Sequence, residues 1–67
     1  MTDNERLIVF DIAEVDGVYN ITTEDSRARY YGCLGLPSSK VLVTMQEMSK
    51  WLHDRVGFDV VFAFEVD

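Results

Sequence analysis

Apolar and other residues alternate through the last ten positions of the chain. Phe58, Val60, Phe62, Phe64 and Val66 fall on one side, and Asp59, Val61, Ala63, Glu65 and Asp67 on the other. A period of two predicts a strand with one apolar face and one face carrying three acids. The same period runs from Arg6 to Val15, with Ile8, Phe10 and Ile12 on one side and Leu7, Val9, Asp11 and Ala13 on the other. Val15-Asp16-Gly17-Val18 then predicts a tight hairpin, because Asp-Gly supplies the positive φ values of a two-residue turn. Pairing Val15 with Val18 sets Ile12 opposite Ile21 and Glu14 opposite Tyr19. Ile8, Phe10, Ile12, Tyr19 and Ile21 then share one face.

The period changes after the hairpin. Thr22 and Asp25 have the spacing of a capping box, and the acids Glu24 and Asp25 suit a helix start. A short helix from about Thr23 to Tyr31, stopped by Gly32, is the expectation, with a strand over Arg27 to Leu34 as the alternative. Pro37-Ser38-Ser39 opens a second helix with a serine cap, carrying the stripe Val41, Met45, Met48 and Leu52 and ending at Gly57. A strand at 40–43 followed by a capping box at Thr44 and Glu47 is the rival reading, and the continuous stripe favours the long helix. The expected fold is α+β: a small two-layer ββααβ domain, an antiparallel sheet covered on one face by two helices.

Sixty-seven residues make a single domain, 1–67, with a small core. The 48% hydrophobic content, with four Phe, three Tyr, one Trp and three Met, is too apolar for a disordered chain. A partner or second copy would add stability that so small a core lacks, so a homodimer is one expectation. Cys33 is the only cysteine, which fits a reducing cytoplasm. No secretion signal stands at the N-terminus and no apolar run approaches the ~18 residues of a membrane span. The expected location is therefore cytoplasmic, with no membrane partner.

Charge narrows the function. Twelve acids against six bases give a net charge of −6, which argues against direct nucleic-acid binding and favours a basic partner surface. By parity the outer sheet face carries Leu7, Val9, Asp11, Ala13, Asn20, Thr22, Glu24, Asp59, Val61, Ala63, Glu65 and Asp67. An apolar middle with acids around it resembles a docking face. A second acidic group, Glu14 and Asp16 with Glu24 and Asp25, lies at and beside the hairpin tip. Carboxylates strung along a surface can stand in for the phosphates that Arg and Lys of a nucleic-acid-binding protein would hold. The candidate partner-binding residues are Asp11, Glu14, Asp16, Glu24, Asp25, Asp59 and Glu65. A solvated acidic surface is the bland alternative.

Catalytic equipment is not evident. His53 is the only histidine and sits near a helix C-terminus, where the dipole favours it. A lone His has no second ligand for a zinc or iron site, and a calcium loop does not match Asp11, Glu14 and Asp16-Gly17. Cys33 has no His near it in sequence and reads as structural. Gly32 and Gly35 are spaced for a turn, not for a phosphate loop. Lys50 and Asp54 can pair on the wet side of the helix. Trp51 reads as core-edge packing, and either Tyr30 or Tyr31 could anchor an interface. No enzyme activity, metal or cofactor is expected.

The order of these elements resembles small acidic phage-encoded inhibitors of bacterial CRISPR defence, a type I-F anti-CRISPR family. The resemblance rests on the Asp16-Gly17 hairpin, the Tyr31-Gly32 step, the Pro37-Ser38 helix start, the stripe Val41, Met45 and Met48, and the acidic last strand. The stretch between Tyr31-Gly32 and Pro37-Ser38 runs one residue longer than that pattern. The resemblance implies a non-enzymatic viral inhibitor, a possible DNA mimic, that occupies a nucleic-acid-binding site of a defence complex in the host bacterial cytoplasm. Asp11, Glu14, Asp16, Glu24 and Asp25 would carry that contact. The other expected role is a self-associating adaptor or structural module docking through Leu7, Val9, Val61 and Ala63.

Overall fold

A computed structural model describes residues 3–65, so Val66 and Asp67 of the final alternation lie outside the described residues. A four-residue helix α1 (Asp3–Arg6) leads into β1 (Leu7–Val15) and β2 (Val18–Thr22). A single 3-10 turn (Arg29–Tyr31) precedes β3 (Cys33–Leu36), the long helix α2 (Ser38–Val56) and β4 (Asp59–Phe64). The strands lie in the order β3-β2-β1-β4.

The hairpin has the expected register, with Val15 opposite Val18, Glu14 opposite Tyr19 and Ile12 opposite Ile21. Asp16 and Gly17 both take positive φ, 53° and 84°, as this two-residue turn requires. Ile8, Phe10, Ile12 and Ile21 are almost wholly buried against Met48 and Leu52 of α2. Phe58, Val60 and Phe62 pack at the margin of this core, and the Phe62 ring lies 5.9 Å from that of Phe10.

The long-helix reading holds: residues 40–43 are helical, and Gly57 closes α2 at φ 85°, its N–H bonding the Leu52 and His53 carbonyls. The residue capping the N-terminus is Pro37, with no side-chain cap bond, and Ser38 is the first helical residue. Asp54 faces His53 rather than Lys50, with Oδ1 3.3 Å from Nδ1.

Two larger expectations are corrected as well. The helix over Thr23–Tyr31 does not form, so one long helix covers the sheet instead of two. Its would-be capping side chains are committed elsewhere. Thr22 is in β2 opposite Asp11. The Thr23 hydroxyl donates to the Val9 carbonyl at 2.7 Å and accepts from the Asp25 N–H at 3.1 Å. Asp25 Oδ1 accepts from the Arg27 N–H at 3.0 Å. These short-range bonds offer the backbone turns in place of a helix.

The second correction is the sheet, which is mixed rather than antiparallel. β4 pairs parallel with β1, Leu7 opposite Asp59 through Ile12 opposite Phe64. The reason is β3, which pairs antiparallel with β2 and so runs in the direction of β1. Nineteen residues of α2 span about 28 Å at 1.5 Å per residue, enough to carry the chain across the sheet and back to the end from which β3 started. The next strand must then run as β1 does.

Candidate protein-docking face

Every strand turns one face to α2 and one away from it. The outward side of the β1–β4 pair brings together Leu7, Val9 and Val61, which are 38%, 44% and 47% exposed. Val9 and Val61 are direct neighbours across the ladder, as are Asp11 and Ala63. Asp11 also lies beside Thr22 of β2. Glu65 follows β4, tied to β1 by its N–H bond of 2.9 Å to the Ile12 carbonyl. The outcome is a small apolar centre with Asp11 and Glu65 at one end.

Charge is segregated along the elements. The four strands contain the acids Asp11, Glu14 and Asp59 and no Lys or Arg. The six bases are Arg6 in α1, Arg27 and Arg29 in the β2–β3 connection, and Lys40, Lys50 and Arg55 in α2. The strands themselves therefore carry acid without interleaved base, which favours a cationic counterpart.

The seven candidate acids do not form one patch. Asp11 and Glu65 belong with the outer face, and Glu24 is exposed in the connection that follows β2. Glu14 shares the parity of the buried Ile12, on the α2 side, but lies exposed toward the hairpin tip where Asp16 makes the turn. Asp59 has outer-face parity, yet its Oδ1 comes within 4.0 Å of His53 Nε2 on α2.

Asp25 is already engaged. The Arg27 guanidinium donates to Oδ1 through Nε at 3.0 Å and to Oδ2 through Nη2 at 2.7 Å. These bonds hold the Asp25 carboxyl at about 2, below its ordinary 3.8, and raise Arg27 in turn. The same guanidinium reaches the carbonyls of Glu5 and Leu7 and lies 5.0 Å above the Phe58 ring. Sequence reasoning missed Arg27 as the residue that ties the β2–β3 connection to the start of β1 and the end of α2. Its spacing of two from Asp25 was the available signal.

Cys33 is half-buried against the core. His53 is exposed between Asp54 and Asp59. Among the described residues, no group of three or more His, Cys, Asp or Glu side chains converges as a metal site. Tyr31 packs on Trp51 with ring centroids 5.1 Å apart, while Tyr30 is 95% exposed. No helix among the described residues is long and apolar enough to cross a membrane. Compared with protein-family models, curated proteins and solved structures, the chain matches none.

Proposed function

We propose that this protein is a non-enzymatic binding domain whose outer sheet face docks on a basic protein surface. The observation that carries this reading is the charge segregation: a half-exposed apolar centre at Leu7, Val9 and Val61, acids at its margin, and no Lys or Arg in any strand. Apolar contact supplies affinity, and the carboxylates choose a cationic partner and speed its encounter. A nucleic-acid-binding protein fits this chemistry, because its phosphate-binding Arg and Lys side chains would meet Asp11, Glu24 and Glu65, with Glu14 and Asp16 extending the contact at the hairpin tip. Inhibition of a CRISPR-type defence complex, which the family resemblance implies, is the most specific form of this proposal.

Face-to-face stacking of two copies is the weaker reading. It would bury the same apolar centre but bring Asp11 and Glu65 of one copy against the acids of the other.

The test is charge reversal. Asp11→Lys, Glu14→Lys and Asp16→Lys together replace three exposed or half-exposed acids outside the core. The variant is expected to keep its circular dichroism spectrum and to lose at least tenfold in affinity for the partner that the tagged wild-type protein captures from bacterial lysate. Unchanged affinity would contradict the proposal.

A further inference from the structure

The sheet has two edges of different character. β3 is four residues long, has a register shift against β2 and is followed by Pro37. β4 is six residues, Asp-Val-Val-Phe-Ala-Phe, with no Pro, Gly, Lys or Arg. Its one protective feature against edge pairing is the charge of Asp59 at its first position.

One backbone bond determines which residues turn outward. Glu65 donates its N–H to the Ile12 carbonyl. The N–H and C=O of one strand residue point to the same side, and those of the next point to the other. Val61 and Ala63 share the parity of Glu65 and bond to β1. Val60, Phe62 and Phe64 therefore present their N–H and C=O groups at the free edge.

We propose that this edge pairs with the same edge of a second copy, β4 antiparallel to β4 about a two-fold axis normal to the sheet. Such an axis keeps the outer faces of both copies on one side, so residues of like parity meet. Charge selects the register. Centring on Phe62 sets Asp59 opposite the partner's Glu65, a repulsive pair. Centring on Val61 sets Val61 opposite the partner's Val61 and Asp59 opposite the partner's Ala63, with no acid facing another. Phe58 then faces the partner's Phe64.

Phe64 is 56% exposed. In this register it reaches toward the partner's groove between α2 and β4. That groove, of about 600 Å³, is lined by Met45, Phe58, Val60 and Phe62.

The contact is modest. A six-residue edge about 20 Å long, with groove contact roughly 20 Å wide, covers about 400 Å² per copy, half of a standard interface. The dimer is accordingly weak and concentration-dependent. Each copy carries −6, so added salt tightens it by screening repulsion. This proposal rests on the edge geometry and stands apart from the partner-docking reading, which expects the opposite salt response.

Sedimentation velocity from roughly 1 µM to 1 mM tests it. A dimer fraction that rises with concentration and with salt is expected. Phe64→Pro should weaken it at least tenfold while keeping the fold, because the lost N–H faces the free edge and not β1. Val9→Lys, on the outer face one strand inward, should leave the dimer intact. In a Cys33→Ser background, Val61→Cys should cross-link on oxidation. The opposed Cα atoms would be ~4.5 Å apart, within disulfide range. A monomer throughout, a dimer that Val9→Lys dissociates as strongly as Phe64→Pro does, or a dimer without the cross-link would each overturn the proposal.

Discussion

Removing the Thr23 hydroxyl should destabilise the fold although Thr23 itself lies outside every strand. Thr23 is 9% exposed, and its Oγ1 makes two bonds, to the Val9 carbonyl and from the Asp25 N–H. Thr23→Val keeps the side-chain volume, so the cost of a cavity is small. What remains is a carbonyl and an N–H stripped of partners. A hydrogen bond contributes about 1 kcal/mol net, and a partly buried group left unpaired costs about 1–3 kcal/mol. Val9 is 44% exposed, so water reaches part of its environment and the lower end applies. The expected loss is about 1.5 kcal/mol. A domain of this length holds roughly 3–10 kcal/mol in all, so the change is a substantial share. Urea denaturation followed by circular dichroism measures it. With a slope of about 1 kcal/mol per molar urea, the midpoint should fall by about 1.5 M. Thr23→Ser retains the hydroxyl and should recover most of the loss. If Thr23→Val shifts the midpoint no more than Thr23→Ser, the hydroxyl is not what holds this connection in place.

Two further outcomes follow from local geometry. Asp25 is held at about 2 against an ordinary 3.8 by its bonds to Arg27. Its contribution to stability is therefore complete above 3.8 and disappears as pH falls through 2. Melting temperatures of the wild type and Asp25→Asn should differ above pH 3.8 and converge near pH 2, and a gap that stays constant would contradict the pairing. At the end of α2, Gly57 has φ 85° and open space around its Cβ position. Gly57→Ala should cost about 1 kcal/mol in urea denaturation through backbone strain alone, and a neutral change would mean that the helix end relaxes.

The parts of this fold that were legible from the chain share a cause. The Asp16-Gly17 turn specifies its own register, and each step of two along the hairpin carries that register onward to Ile12 and Ile21. The stripe from Val41 to Leu52 extends over three turns, so its period outweighs the local capping signal at Thr44 and Glu47.

The connection between β2 and β3 failed for the opposite reason. Thr22, Thr23 and Asp25 suit a helix start, a strand end or a turn equally well, and the choice is made by Val9, fourteen residues before Thr23, and by Arg27. β3, four residues reading Cys-Leu-Gly-Leu, is too short to show a period. Missing it removed the information that makes β4 parallel. The parity of β4 told which side chains face the core, but no pattern within a strand names its neighbour.

The acids were legible as a composition and as faces, which is why Asp11 and Glu65 fall where the alternation put them. Their individual availability was not. Asp25 is bound by Arg27 only two residues on, where the same side chains also suited a helix start, and Asp59 comes within 4.0 Å of His53 because β4 follows directly on the end of α2.

The central claim is that the sheet face binds a basic surface through charge. The most direct measurement is the affinity of the captured partner across a salt series, from about 50 to 500 mM. Each exposed ion pair is screened over a Debye length that shrinks from more than 10 Å to less than 8 Å across this range. Affinity should therefore fall steadily with salt, and it should fall less steeply for the variant carrying Lys at positions 11, 14 and 16. Affinity that holds constant or rises with salt would contradict the account, because apolar contact alone would then be making the complex.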